Sequence, residues 1–174
     1  QFGIGTSYFR NLVAKDPTWD PAGFDIDRDV PRIVASDGGQ AVAMDPDLSA
    51  FVARGGKLLT YHGTTDGLIA FGNSVNYYES VVPKLGAKKT AEGIRFYAVP
   101  GMDHCSGGEG AWQVDWLGAL DQWVETGHAP AALPGTQPAP GKAFTRPVCP
   151  WPQLPQYKGK GDTADAANYE CAAP

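Results

Sequence analysis

Two runs of apolar residues and three stretches of helical spacing organise the middle of this chain. Lys57 to His62, KLLTYH, is mostly apolar and lies between Gly55-Gly56 and Gly63, with the length and flanks of a strand buried in a parallel sheet. Ile94 to Val99, IRFYAV, is a second β-rich run and stops at Pro100-Gly101. Ahead of the first run, Leu48, Phe51 and Val52 fall at i, i+3 and i+4. That spacing predicts a short helix over Asp45 to Arg54, capped by Asp45 or Asp47 and ended by Gly55-Gly56. Between the runs, Ile69 to Val82 puts Val75, Tyr78 and Val82 on one side of a helix that Pro83 and Gly86 unravel. After the second run, Trp112, Trp116, Leu120, Trp123 and Val124 make an amphipathic helix over Ala111 to Glu125, ended by Gly127. Strand, helix, strand, helix is a βαβα unit, so the fold class is α/β. The tryptophans at 112, 116 and 123 are read as core rather than as a platform for an aromatic ligand.

The flanks follow neither period. Residues 1 to 45 read as an irregular connecting segment with a turn cluster at Asp16-Pro17-Thr18-Trp19-Asp20-Pro21. Asp25, Asp27 and Asp29 alternate there with apolar residues and raise the question of calcium. An EF-hand loop starting at Asp25 needs glycine sixth and glutamate twelfth, where this chain has Val30 and Ser36, so a solvated acidic loop is expected instead. Residues 46 to 128 then hold the βαβα unit, and residues 129 to 174 form a proline-rich tail of the same domain, expected to cross the surface without regular structure.

With 174 residues, 43% of them hydrophobic, the chain can bury one modest core, and 22 glycines and 15 prolines promise extensive loops around it. A net charge of −5 provides no basic stripe to neutralise phosphates, which excludes nucleic acid and an anionic membrane surface as partners. No run approaches the roughly 18 to 20 apolar residues of a bilayer span, and QFGIGTSYFR lacks the layout of a signal peptide, so a soluble chain that starts mid-protein is expected. The three cysteines are an odd number. In an oxidising compartment one of Cys105, Cys149 and Cys171 must pair outside the other two.

The chemistry-bearing residues sit where each strand gives way to a loop: His62-Gly63-Thr64-Thr65-Asp66 and Pro100-Gly101-Met102-Asp103-His104-Cys105. In α/β sheets that edge builds sites. Ester hydrolysis needs an imidazole to shuttle the proton of a nucleophile and a carboxylate to hold that imidazole in one tautomer. Asp66 and His104, 38 positions apart with one helix between them, suit a single crossover that returns to a neighbouring strand and sets the two loops side by side. The order, acid before histidine, is that of α/β-hydrolases. The competing reading of HGxxD is a glycine turn whose aspartate caps the following helix. Asp103 competes as orienter of His104, but adjacent side chains seldom face each other. His62 is expected to close its strand with its ring hydrogen-bonded to a loop.

The strings GGKLLTYHGTTDGLI, VPGMDHCSGG, WVETG and RPVCPWPQLPQYKGKGD through NYEC resemble the C-terminal part of the tannase and feruloyl esterase family, from about Asp47 onward. The resemblance implies the C-terminal portion of an α/β-hydrolase whose large inserted lid lies elsewhere in the protein. It implies that Asp66 is the triad acid and His104 the base. It further implies that Cys105 bonds to a cysteine beside the nucleophilic serine in upstream polypeptide, leaving Cys149 and Cys171 to staple the tail. Calcium belongs to the lid in that family, and no cofactor is expected in this segment.

The expected activity of the complete protein is therefore a secreted or periplasmic serine carboxylic-ester hydrolase acting on small aromatic esters of gallate or ferulate type. The isolated chain is expected to be inactive, because no serine here lies in a GxSxG or CSxGG setting. Ser106 adjoins the base itself and is read as a loop serine. Leu68 and Ile69 are candidates for the wall of the acyl pocket. Thr65 stands where many relatives carry a large apolar side chain, so substrate preference does not carry over. The rival readings are another α/β-hydrolase, such as a lactone hydrolase or peptidase, and a non-catalytic domain that uses the same loops for binding.

Overall fold

A computed structural model describes residues 2–37, 42–138 and 143–174. The chain divides into two units, Gln1–Asp45 and Pro46–Pro174.

The first unit corrects the expectation of an irregular segment. It holds α1 (Phe2–Tyr8), which runs into a π-helical turn, and α2 (Ile26–Asp37). Ile26, Val30 and Ile33 lie at helical spacing, a stripe that the alternating aspartates obscure, and Asp25 Oδ1 accepts from the Arg28 N–H at 2.8 Å to start the helix. Asp29 is a buried anchor rather than part of a solvated loop. Its side chain is sealed from solvent and meets Arg28 at 2.6 Å and Arg32 at 2.8 Å. Hydrogen bonds from Arg28 hold its carboxyl below the usual carboxylate range against the opposing effect of burial. Phe9 is buried here, stacked on Trp19 at 4.1 Å and edge-on to Phe24. Among the described residues no three His, Cys, Asp or Glu side chains gather as metal ligands. The irregular chain expected over 38–41, like the part of the tail at 139–142, falls outside the described residues.

The second unit begins with α3 (Ser49–Ala53), where Asp47 Oδ1 accepts from the Ser49 N–H at 3.0 Å. Then come β1 (Leu58–Gly63), α4 (Phe71–Leu85), α5 (Ala87–Gly93) and β2 (Ile94–Val99). The two strands pair in parallel, from Leu58 opposite Ile94 to Gly63 opposite Val99. The crossover holds two helices where one was expected: Gly86, at φ +80°, ends α4 and starts α5. Pro83 sits inside α4 near its end rather than terminating it.

β2 is nearly all buried because both of its faces are covered. Tyr97 and Val99 point to one side, where Met102, Leu133 and Val148 pack on them. Ile94 points to the other, against Val81 and Leu85 of α4. The Tyr97 hydroxyl donates to the Pro130 carbonyl at 2.7 Å, and burial pushes its phenol up to about 12, with Arg95 acting weakly the other way. Beyond β2 the Trp151 N–H donates to the Phe96 carbonyl at 2.8 Å, so residues 150 and 151 cover that edge of the strand.

The next helix, α6, spans Trp116–Thr126 and starts later than expected. Trp112 and Trp116 lie four apart and imitate a helical face. The cap is Asp115, whose Oδ1 accepts from the Gly118 N–H at 2.9 Å, while Gln113 and Thr136 exchange backbone hydrogen bonds of 3.0 Å in each direction. The tail is likewise more regular than expected. β3 (Leu133–Gln137) pairs antiparallel with β4 (Phe144–Val148), and β5 (Leu154–Tyr157) with β6 (Tyr169–Ala172). These strands have four or five residues and carry Pro134, Pro147 and Pro155, too short and too interrupted to print an alternation.

A disulfide joins Cys149, directly after β4, to Cys171 in β6, across a separation of 22 residues. Closing such a loop restricts the unfolded chain by about 3 kcal/mol. The double substitution Cys149→Ala/Cys171→Ala is expected to lower unfolding stability by that amount, read from denaturant unfolding as a lower midpoint with a slope that rises as the freed unfolded chain expands. A shift below about 1 kcal/mol would show that the hairpins hold the tail unaided.

Candidate active site

Asp66 and His104 meet. The parallel pairing of β1 and β2 ends both strands at one level, and the loops that follow lie against each other. Thr64 and Thr65 stitch them together. The Gly101 N–H donates to Thr64 Oγ1 at 3.0 Å, and Thr65 Oγ1 donates to the Met102 carbonyl at 2.8 Å. Thr65 Oγ1 also lies 3.0 Å from Asp103 Oδ1, so Asp103 is engaged there and not with the imidazole. Met102 is fully buried and anchors the second loop. Gly101, Gly107 and Gly108 have φ of +72°, +77° and +83° within that loop, and the Gly110 N–H closes it on the Gly101 carbonyl at 2.9 Å.

The carboxylate of Asp66 divides its work between its two oxygens. Oδ1 accepts the backbone N–H groups of Leu68 and Ile69, both at 2.8 Å, which shapes the turn before α4. Oδ2 faces His104 Nδ1 at 2.8 Å and His62 Nε2 at 3.1 Å. The helix-entry role and the imidazole-holding role of this aspartate therefore coexist. Its side chain is 3% exposed, whereas that of His104 is 45% exposed. Burial opposes ionisation of Asp66, but hydrogen bonds from Ile69, His104 and Leu68 outweigh it and hold the carboxyl well below its usual range. With the folded value depressed, the contribution of this group to stability is present above the ordinary carboxylate pKa near 4 and fades only as the pH falls below it.

With Nδ1 of His104 occupied, its Nε2 makes no hydrogen bond among the described residues. This is the arrangement of a base whose inner nitrogen is fixed and whose outer nitrogen is left for a reacting group. A cleft of about 140 Å³ adjoins the ring, walled by Tyr61, Ile69, Met102 and Cys105. Ile69 lines this cleft, whereas Leu68 is 45% exposed and does not. Cys105 is an exposed free thiol in this chain, held at φ +63°, a conformation that a non-glycine residue adopts at some cost. Ser106 is exposed on the loop. His62 is the penultimate residue of β1, and its ring is hydrogen-bonded to a loop as expected, with Nε2 3.2 Å from the Ile69 carbonyl oxygen. The partner of its Nδ1, Ser74 on α4, is twelve residues away and carries no sequence signal.

Three comparisons agree with this architecture. The family model described as "Tannase and feruloyl esterase" matches residues 26–172. Mono(2-hydroxyethyl) terephthalate hydrolase of Piscinibacter sakaiensis is 44% identical over 138 residues, covering 76% of this chain and 22% of that protein. Probable feruloyl esterase B of Aspergillus clavatus is 35% identical, covering 98% of this chain and 36% of that protein. The crystal structure of feruloyl esterase B from Aspergillus oryzae superposes with a TM-score of 0.86 at 28% identity, over 96% of this chain and 36% of that one. The chain thus spans about a fifth to a third of the length of these relatives, which are carboxylic-ester hydrolases. Its βαβα unit is part of an α/β-hydrolase fold, and the chain belongs to the tannase and feruloyl esterase family.

Proposed function

We propose that this chain supplies the acid and the base of a serine carboxylic-ester hydrolase that cleaves small aromatic esters through an acyl-enzyme. The contact between Asp66 Oδ2 and His104 Nδ1, at 2.8 Å with the far side of the ring open, carries the reading. His104 Nε2 takes the proton of a serine hydroxyl as that oxygen attacks the ester carbonyl, then returns it to the departing alcohol. Water enters, loses a proton to the same nitrogen as it attacks the acyl carbonyl, and the acid departs as that proton passes to the released serine oxygen. Asp66 stays ionised throughout and stabilises the imidazolium. The serine, its oxyanion donors and the lid that selects the ester belong to polypeptide outside these 174 residues, and Cys105 bonds to a cysteine next to that serine. A structural disulfide at 149 and 171 suits a secreted or periplasmic protein. Among the described residues no helix is long and apolar enough to cross a membrane.

The full-length protein is expected to bind a fluorophosphonate probe, one per molecule, on a serine outside this chain, and to hydrolyse a chromogenic phenolic ester. This chain alone is expected to do neither. Absence of labelling from an active full-length preparation would overturn the serine mechanism.

A further inference from the structure

We infer that His62, backed by Ser74, is a positioning residue that holds the Asp66 carboxylate toward His104. The inference rests on the acid and base roles just proposed. His62 Nε2 lies 3.1 Å from Asp66 Oδ2 and 3.2 Å from the Ile69 carbonyl oxygen. Both oxygens are acceptors, so Nε2 carries the proton. Neutral imidazole then offers Nδ1 as an acceptor, and the Ser74 hydroxyl, 2.7 Å away, donates to it. Ser74 thereby fixes the tautomer that His62 needs in order to donate to Asp66.

Geometry explains why the acid needs this second imidazole. Oδ1 is tied to the turn by two N–H groups, which leaves Oδ2 as the only oxygen for His104. Rotation of the carboxylate about its terminal bond is opposed at Oδ1 by Leu68 and Ile69, and at Oδ2 by His62. The His62 side chain is 10% exposed, and the Phe71 ring stands edge-on to it with centroids 5.7 Å apart. The ring therefore has little room to leave its place between β1 and α4. His104, at 45%, has no comparable packing and takes its orientation from the carboxylate. The line from Ser74 through His62 and Asp66 to His104 Nδ1 connects a helix side chain to the ring of the base in three hydrogen bonds.

The test uses the full-length enzyme with sites counted by fluorophosphonate titration, so that kcat refers to folded, labelled molecules. His62→Ala is expected to lower kcat by about tenfold to a hundredfold with KM little changed, as misplacement of catalytic groups does. His62→Gln, whose amide nitrogen can stand in for Nε2, is expected to recover most of the loss. Ser74→Ala is expected to give a smaller loss in the same direction. Unchanged kcat per titrated site in His62→Ala, or equal impairment of the alanine and glutamine variants, overturns the positioning role. Parallel measurement of Asp66→Asn and His104→Ala separates the two failures. If those variants keep full activity, the acid and base assignment itself falls, whereas their inactivity beside an unaffected His62→Ala removes only His62.

Discussion

Asp66→Asn in the full-length protein is expected to lower kcat by about 10⁴. The amide matches the carboxylate in shape and can still accept the Leu68 and Ile69 N–H groups through its oxygen. What it loses is the second acceptor. Its NH₂ then faces His104 Nδ1, where Oδ2 stood at 2.8 Å. A hydrogen bond there requires an unprotonated Nδ1, which moves the ring proton to Nε2, the nitrogen that has to take the nucleophile's proton. The negative charge that balances the imidazolium disappears as well. The same NH₂ confronts the His62 Nε2–H, so two donors meet at the floor of the site. Stability should change far less than rate, and a denaturant midpoint measured beside kcat separates the two. A loss below about tenfold would remove Asp66 from the mechanism.

Gly63→Ala is expected to have the next largest effect, through one methyl group. Gly63 ends β1, and its added Cβ would overlap the Met102 carbonyl oxygen and stand 2.6 Å from that of Asp103, both backbone atoms of the loop that carries His104. The loop cannot yield by a rotamer change; it has to move as backbone. That movement strains the Thr65 contact with the Met102 carbonyl and the pairing of Thr64 with Gly101. Overpacking of this kind costs about 1 to 3 kcal/mol of stability. A shift of the base by about 1 Å costs roughly a hundredfold in kcat. Gly72→Ala is the control: it lies on α4 with nothing within 4 Å of its Cβ and is expected to retain normal kcat. Equal kcat for the two variants would show that the approach of the two loops does not matter to the reaction.

The parts that were legible in the sequence are those whose burial is two-sided or whose period is long. IRFYAV could be read as a strand because packing on both faces of β2 requires apolar residues at consecutive positions. Asp66 and His104 could be paired because a parallel crossover forces two strand ends to the same edge of a sheet, whatever the helices between them look like. The hairpins of the tail left no such trace, since proline and four-residue strands remove the alternation on which recognition depends. In α2 the stripe of Ile26, Val30 and Ile33 was present but hidden by the shorter rhythm of the aspartates, and burial of Asp29 between two arginines reversed the usual meaning of an acidic cluster. Ser74 was invisible for a different reason. Its role depends on the distance between a helix and a strand end, and no pattern along one dimension encodes that.

The threonine bonds between the two loops run entirely between Thr64 or Thr65 and backbone or side chain of the opposite loop, using neither Asp66 nor His104. The entropy of bringing Asp66 and His104 together is therefore settled when the polypeptide folds, before any ligand arrives.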